Sequence, residues 1–192
     1  MQRKTTRMKF QKTDSQEYKY LFLDRDGVIN IERPNDYVKN TSEFIFIKGA
    51  IEAITRLSSI FENIFIITNQ RGIGRGIMTA DDLGLVHKYM LAEIEKAGGK
   101  INNIYVCTDT SSTSINRKPN VGMAYQAKRD FPKIDFDQSV MVGNSRSDID
   151  FGNKLNMYTV LVGDKYKKDD KIYQIVNAHY NNLLSFALTL QD

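Results

Sequence analysis

Two aspartates, Asp24 and Asp26, stand directly after the short apolar run 20–23 and just before Gly27. The first carboxylate of such a pair could attack phosphorus and form an aspartyl phosphate. The second could protonate the leaving oxygen and then deprotonate the water that cleaves this intermediate. Gly27 would allow a sharp turn beyond the pair. Asp-x-Asp is also common in ordinary turns, so the pair becomes informative only together with other residues.

Further polar residues follow or precede apolar runs along the chain: Thr68 and Asn69 after 64–67, Asn144 and Asp148 after 139–142, and Arg117-Lys118 before 121–130. A threonine hydroxyl and a lysine ammonium could hold phosphoryl oxygens while negative charge shifts between them. Mg²⁺ prefers carboxylate and carbonyl oxygens as ligands. Ligands of open parallel sheets bind at the carboxyl ends of the strands, so the ordered set indicates a phosphoryl-transfer site.

The elements that must position these residues alternate along the chain. Short apolar runs predict strands at 20–23, 64–67, 104–107, 139–142 and 158–162, and helical spacing or capping predicts helices at 50–60, 79–97, 121–130, 148–155 and 181–190. Thr79 and Asp82 form a candidate capping box. Strands that alternate with helices predict one three-layer α/β/α, Rossmann-like domain over 20–192, with a mostly parallel sheet and no large cap domain.

Composition limits the classes of function. The 192 residues contain 41% hydrophobic residues, one cysteine and no apolar run of eighteen residues, so we expect a cytoplasmic protein without a membrane segment. The net charge is +4, and five basic residues precede the first acidic one: Arg3, Lys4, Arg7, Lys9 and Lys12. Without them the net charge is −1, so we predict a flexible basic arm over 1–19 and no nucleic-acid partner.

Four segments in order resemble the haloacid dehalogenase (HAD) superfamily of phosphatases over about residues 20–165: Asp24-Arg25-Asp26-Gly27, Thr68-Asn69-Gln70, Arg117-Lys118-Pro119, and Gly143-Asn144 with Asp148. Within that superfamily, the stretches DRDGVIN, TNQRGIGRG and RKPNVGM are most similar to the small-capped branch. That branch contains the D,D-heptose 1,7-bisphosphate and histidinol-phosphate phosphatases.

The resemblance implies a role for each matching residue. Asp24 would be the nucleophile and Asp26 the general acid and base, while Thr68 and Lys118 would hold the phosphoryl group. The residues near the substrate would be Asn69, Gln70, Arg71 and Arg117. Mg²⁺ would bind Asp24, the backbone carbonyl of Asp26 and Asn144, with Asp148 in support. Substrate choice would rest on residues 32–37, Arg71, Arg75 and the loop 108–117.

Two positions depart from the pattern of these relatives. Asn144 stands where they usually carry Asp, so one negative charge is missing and we expect weaker metal binding. The relatives also hold Zn²⁺ with three Cys and one His before the Arg-Lys segment. Here Cys107 matches the first of those ligands, Asp109 stands near the expected His, and 110–116 contain no Cys. We therefore expect no zinc and predict that Cys107 packs in the core.

Three functions stay open at this point. The first is hydrolysis of a small phosphorylated metabolite by a monomeric enzyme, with D-glycero-D-manno-heptose 1,7-bisphosphate as first choice and histidinol phosphate as second. The second is a polynucleotide 3′-phosphatase, which would share the TNQ-x-GIGRG segment and the zinc-free loop. The third is a phosphate-binding protein that has lost turnover through Asn144. His87 and His179 show no partner spacing, and we assign them surface or ordinary structural roles.

Overall fold

Eight strands appear in the computed structural model, which describes residues 10–13 and 16–190. The first two, β1 (Phe10–Thr13) and β2 (Gln16–Tyr18), form an antiparallel pair. The other six form one sheet: β3 (Tyr20–Leu23), β4 (Asn63–Asn69), β5 (Asn103–Cys107), β6 (Ser139–Gly143), β7 (Tyr158–Val162) and β8 (Ala178–Tyr180). Their order across the sheet is β5-β4-β3-β6-β7-β8, and every neighbouring pair is parallel.

Helices cover both faces of this sheet: α1 (Ala50–Ile60), α2 (Arg71–Gly74), α3 (Ala80–Lys96), α4 (Gly122–Asp130), α5 (Arg146–Asn153) and α6 (Leu183–Thr189). Residues of α1, α3 and α6 share one buried cluster, and residues of α4 and α5 share another on the opposite face. In β3, Leu21 and Leu23 belong to the first cluster and Tyr20 and Phe22 to the second, because successive strand residues point to opposite faces. The predicted three-layer α/β/α domain is confirmed.

Most predicted elements occur within one or two residues of their expected bounds. The short strand β8 and the single turn of α2 were missed, because neither is long enough to show a period. The helix predicted at 148–155 begins earlier, at Arg146. The reason is a cap: Ser145 donates from its backbone N and from Oγ to Asp148 Oδ2, at 3.0 and 2.6 Å.

The predicted arm 1–19 is only partly described. Arg3, Lys4, Arg7 and Lys9 lie outside the described residues. Within the described part, β1 pairs with β2, and Tyr18 is buried with its ring centroid 5.4 Å from that of Tyr158. The polar sequence of this pair gave no alternation from which strands could be predicted. The division between an arm and a domain at residue 20 stays a prediction.

The position of β3 determines where the functional residues meet. The chain leaves β3 towards β4 on one side and reaches β6 on the other, so the order of the strands reverses at this point. Asp24 follows β3, Thr68 and Asn69 end β4, and Asn144 follows β6. Parallel strands bring these ends to one edge of the sheet, where α/β proteins bind ligands. Among the helices of the described residues, none has the length and apolar character that a membrane span requires.

The cap of α3 offers a test of this local structure. Thr79 Oγ1 accepts from Asp82 N at 3.0 Å, and Asp82 Oδ2 accepts from Thr79 N at 2.8 Å. We expect Thr79→Ala to lower the free energy of unfolding by about 1 kcal/mol, measured by urea denaturation, because it leaves a helix-end N–H without its partner. Thr41→Ala, at another exposed position, is the matched control and should change stability little. Equal losses in the two variants would contradict the capping role.

Candidate active site

A cavity of about 410 Å³ opens at the carboxyl edge of β3, β4 and β6. Six of the predicted site residues lie on its wall: Asp24, Asp26, Asn69, Gln70, Lys118 and Asn144. Thr68 and Asp148 are buried at 1% and 0% exposure and do not line it. Arg71 and Arg117 do not line it either. The structure therefore brings most of the predicted set together and places two of its members behind the wall.

The ammonium group of Lys118 lies at the base of the cavity. Its Nζ is 2.9 Å from Asp24 Oδ1 and 2.7 Å from Asp148 Oδ1, and it donates to the carbonyl oxygen of Ile67 at 2.7 Å. The loop that carries Lys118 is fixed by Asn69, whose Oδ1 accepts from Lys118 N at 3.1 Å and whose Nδ2 donates to Lys118 O at 3.3 Å. Asn69 thus positions the lysine through its backbone.

The carboxylates around Lys118 exceed the positive charge that it supplies. Burial and the nearby carboxylate of Asp148 raise the pKa of Asp24 to about 7, although Lys118 opposes this change. Burial alone would lower the pKa of Lys118, but Asp148 and Asp24 raise it, so the lysine stays charged. With Asp26 and Arg25 included, three carboxylates face two cations. A further cation at this edge would favour the ionised form of Asp24.

Asp26 is held as a carboxylate by its neighbours. Arg25 Nη2 lies 3.0 and 2.9 Å from its two oxygens, Asn30 Nδ2 donates to Oδ1 at 2.9 Å, and Gln70 Nε2 donates to Oδ2 at 2.8 Å. Burial would raise the pKa of Asp26, but Arg25 and these hydrogen bonds bring it below its usual value. Gln70 Nε2 also lies 2.8 Å from Thr68 Oγ1, so it joins the two predicted catalytic residues.

Arg25 and His87 form a contact beside the cavity that the sequence did not predict. Arg25 is completely buried, and its Nη1 lies 3.1 Å from His87 Nε2. A guanidinium only donates, so Nε2 must be the unprotonated acceptor and the imidazole must be neutral. Burial and the charge of Arg25 lower the pKa of His87 to about 4. Arg25 stands inside a predicted motif, but nothing in the sequence links it to a residue of α3.

The donors at this edge suit a hard divalent cation. They are the carboxylate of Asp24, the backbone carbonyl of Asp26 and the side-chain carbonyl of Asn144, all residues of the cavity wall, and the excess of carboxylates over cations around Lys118 favours a further cation. Within the described residues, no group of three or more His, Cys, Asp and Glu side chains is placed to bind a metal. Asp148 fits a supporting role, because its oxygens face Lys118 and Ser145.

Gly27 has a positive φ of 79° and lies against Asn144. A Cβ atom on residue 27 would stand 1.8 Å from Asn144 Nδ2, so only glycine permits the observed approach. Asn144 Nδ2 in turn donates to Glu32 Oε2 at 3.0 Å. Gly27 therefore has two roles. It permits the turn after Asp26, and it leaves room for the side chain of Asn144.

Positive side chains lie towards the mouth of the cavity. Arg75 lines the wall and its Nη1 is 3.4 Å from Tyr37 Oη. Partial burial and the charge of Arg71, with a smaller effect of Arg75, lower the pKa of Arg117. Gly72 lets the ring of Tyr37 approach α2, since a Cβ there would stand 2.8 Å from the ring.

Hydrogen bonds hold the loop 108–117, which the resemblance marked as the place of a zinc site in relatives. Ser114 Oγ donates to Asp109 Oδ2, and Cys107 Sγ lies 3.7 Å from the same oxygen. Cys107 is 2% exposed and belongs to the core cluster under α4 and α5, which confirms its predicted packing. Asp109 thus links Cys107, just before the loop, to Ser114 within it.

Comparison with known proteins adds to this geometry. Residues 5–185 match the family described as Polynucleotide kinase 3 phosphatase. The D-glycero-alpha-D-manno-heptose-1,7-bisphosphate 7-phosphatase of Campylobacter jejuni is 35% identical over 156 residues, or 81% of this chain and 88% of that protein. The chain belongs to this HAD-like family of phosphatases.

Two further relatives of this HAD-like family are informative. The D-glycero-beta-D-manno-heptose-1,7-bisphosphate 7-phosphatase of Neisseria meningitidis serogroup A is 41% identical over 106 residues, 55% of this chain and 56% of that protein. The crystal structure of D,D-heptose 1,7-bisphosphate phosphatase from B. bronchiseptica, complexed with magnesium and phosphate, superimposes with a TM-score of 0.78 and 25% identity. That comparison covers 90% of this chain and 97% of the other. The predicted resemblance and fold are confirmed.

The neutral state of His87 predicts how the stability of this protein depends on pH. Its pKa is about 4 in the folded protein and 6.5 in the unfolded one, so the unfolded chain binds more protons between these values. The free energy of unfolding should therefore fall as the pH drops from about 6.5 to about 4, by about 3 kcal/mol from this group.

His87→Gln is the matched variant, because the Gln carbonyl can still accept from Arg25 but does not titrate. Urea denaturation of both proteins between pH 7.5 and pH 4 should show the smaller loss in the variant. Carboxylates titrate equally in both proteins, so their effect cancels when the free energies of unfolding of the two proteins are subtracted. Parallel curves would contradict a buried neutral His87.

Proposed function

We propose that this protein is a Mg²⁺-dependent phosphatase that hydrolyses a phosphate monoester of a small phosphorylated sugar, of the class of D-glycero-D-manno-heptose 1,7-bisphosphate. The observation that carries the proposal is the buried contact of Asp24 with Lys118 at the base of the cavity, where the carboxylates of Asp24, Asp26 and Asp148 outnumber the two cations that they contact. A carboxylate so placed can reach a bound phosphate, and the lysine can hold the oxygens of that phosphate. The names of the relatives support the class of substrate.

In the first step, an Asp24 oxygen attacks phosphorus and the bond from phosphorus to the ester oxygen breaks. Lys118 Nζ lies beside the attacking carboxylate and can interact with a phosphoryl oxygen as charge develops. Thr68 is buried behind the cavity wall, and its hydroxyl accepts from the Gln70 amide that also donates to Asp26, so its part is to position Gln70. The product of this step is an aspartyl phosphate and a leaving oxygen that needs a proton.

Asp26 supplies that proton and later recovers one from water. The contacts from Arg25, Asn30 and Gln70 favour its ionised form, which suits the second step, in which water loses a proton and attacks the phosphorylated Asp24. The first step requires the protonated form, and the negative charge of an incoming phosphate favours it. Hydrolysis returns Asp24 as a carboxylate and releases inorganic phosphate.

The residues that would hold Mg²⁺ are Asp24, Asn144 and the backbone carbonyl of Asp26. When bound, Mg²⁺ would neutralise phosphoryl charge and place a phosphate oxygen beside Asp24. Asn144 offers a neutral carbonyl oxygen instead of a carboxylate, which lowers the attraction for the ion but keeps a suitable donor. Magnesium and phosphate in the B. bronchiseptica structure support this assignment.

The arginines at the cavity mouth support a substrate with a second anionic group. Arg75 on the wall, with Arg71 and Arg117 nearby, would attract a distal phosphate while Asp24 attacks the other. The same charges could receive the backbone of a strand end, and the description of the matched family makes a polynucleotide 3′-phosphate the second candidate. A sugar bisphosphate is favoured because the curated relatives act on one by name.

The nucleophile is tested by substitution. Asp24→Asn should abolish Mg²⁺-dependent phosphate release, because an amide cannot attack phosphorus, while the circular dichroism spectrum stays that of the wild type. Asp81→Asn, at an exposed position in α3, is the control and should keep full activity. Phosphate release by Asp24→Asn at the wild-type rate would contradict the proposal. A wild type without any release, made active by Asn144→Asp, would instead show a phosphate-binding protein that has lost turnover.

The substrate is tested by phosphate release from both anomers of heptose 1,7-bisphosphate, histidinol phosphate and a 3′-phosphorylated oligonucleotide. We expect the highest kcat/KM for a heptose bisphosphate. Arg75→Ala should raise its KM about tenfold, equivalent to about 1.4 kcal/mol, with a smaller effect on a monophosphate. Arg129→Ala, an exposed arginine of α4, should leave KM unchanged. Preference for the oligonucleotide, with strong salt dependence, would favour the second candidate.

A further inference from the structure

Asn144 contacts Glu32 through its nitrogen. Its side-chain amide lies 3.0 Å from Glu32 Oε2. A carboxylate only accepts hydrogen bonds, so the atom that faces it must be Nδ2 and not Oδ1. The carbonyl oxygen is therefore turned away from Glu32. In the described part of the chain, no hydrogen bond to Asn144 Oδ1 is formed, although the residue is only 8% exposed.

The two ends of an amide differ in what they can bind. The oxygen of Asn144 can coordinate a hard cation, whereas its NH₂ group has no lone pair for one and would point hydrogens at it. A carboxylate at this position would not face this difficulty, because its two oxygens are equivalent. An asparagine at this position thus has a need for orientation that an aspartate would not have.

Lys165 holds the carboxylate of Glu32 beside the Asn144 amide. Both of its oxygens lie close to Lys165 Nζ, at 3.3 and 3.2 Å, and it lines the same cavity as Asp24. The Glu32–Lys165 pair is about half exposed, at 45% and 46%, so it contributes little to stability. Its effect is to restrain the carboxylate beside Asn144.

We propose that Glu32 is a positioning residue that turns the Asn144 amide so that its oxygen faces the Mg²⁺ site. This inference rests on the proposed function, since it assumes that Mg²⁺ binds beside Asp24. Glu32 acts through Asn144 and need not contact the metal. It offsets part of the loss that the neutral side chain at position 144 brings.

The direct test is nuclear magnetic resonance of the Asn144 side chain, assigned by its loss in Asn144→Asp. We expect its NH₂ protons to show the hydrogen bond to Glu32 both before and after Mg²⁺ is added. Its carbonyl carbon should shift when Mg²⁺ binds. In Glu32→Gln the hydrogen-bonded proton shift should move about halfway towards the value of a free amide, because a glutamine can offer either its nitrogen or its oxygen. An unchanged carbonyl carbon on saturation with Mg²⁺ would overturn the inference.

Calorimetric titration with Mg²⁺ tests the consequence in a double-mutant cycle. If neither orientation is favoured in Glu32→Gln, only about half of the molecules present the oxygen, and the affinity falls about twofold from orientation alone. The lost charge of Glu32 weakens binding further. In the Asn144→Asp background, Glu32→Gln measures that charge effect by itself. The loss of Mg²⁺ affinity caused by Glu32→Gln should therefore be about twofold larger in the background that keeps Asn144. Glu95→Gln, an exposed residue of α3, controls for net charge.

The two proposals fail in different ways in this experiment. Absence of Mg²⁺ binding by the wild type would remove the metal from the proposed function and the inference with it. Mg²⁺ binding that Glu32→Gln weakens equally in both backgrounds would overturn the inference alone, since it would leave only a charge effect. Thermal unfolding of each variant, expected within a few degrees of the wild type for an exposed residue, shows that the fold is retained.

Discussion

The site depends on the contacts that the ammonium group of Lys118 makes. This group is almost completely buried and makes one contact each with Asp24, Asp148 and the carbonyl of Ile67. These contacts join the strand ends of β3 and β4, the N-terminal turn of α5 and the loop before α4. Removing one partner of a buried ion pair leaves an uncompensated charge at a cost of about 3–5 kcal/mol. In the proposed mechanism, the same ammonium group also interacts with a phosphoryl oxygen.

The charge around that contact is not balanced by the protein alone. Asp24 has a raised pKa because burial and Asp148 outweigh Lys118, whereas Asp26 has a lowered one because Arg25 and two amides overcome its burial. Two carboxylates separated by one residue thus differ in their environments. The lowered pKa of Asp26 suits its proposed part as the base of the second step, and the raised pKa of Asp24 means that a nearby cation would favour its ionised, nucleophilic form.

Membership of the family and choice of substrate rest on different parts of the molecule. The strand-end residues agree with a phosphatase, and the family match spans residues 5–185. The proposed choice of substrate rests on the cavity mouth, where Arg75 Nη1 lies 3.4 Å from Tyr37 Oη. The matched family is described by polynucleotides and the curated relatives by heptose bisphosphates. Both substrates carry a second anion, which explains why one basic mouth is compatible with either.

The sequence by itself determined the strands, most helix bounds, the cap of α3 and the ordered polar residues at the strand ends, because each depends on neighbours within a few positions. Only the tertiary structure decided how they are used. It placed His87 against Arg25 and Glu32 against Asn144, pairs that are 62 and 112 residues apart. It also showed that Asp148 both caps α5 and supports Lys118. Such contacts leave no period or spacing in the chain, since folding alone brings their residues together.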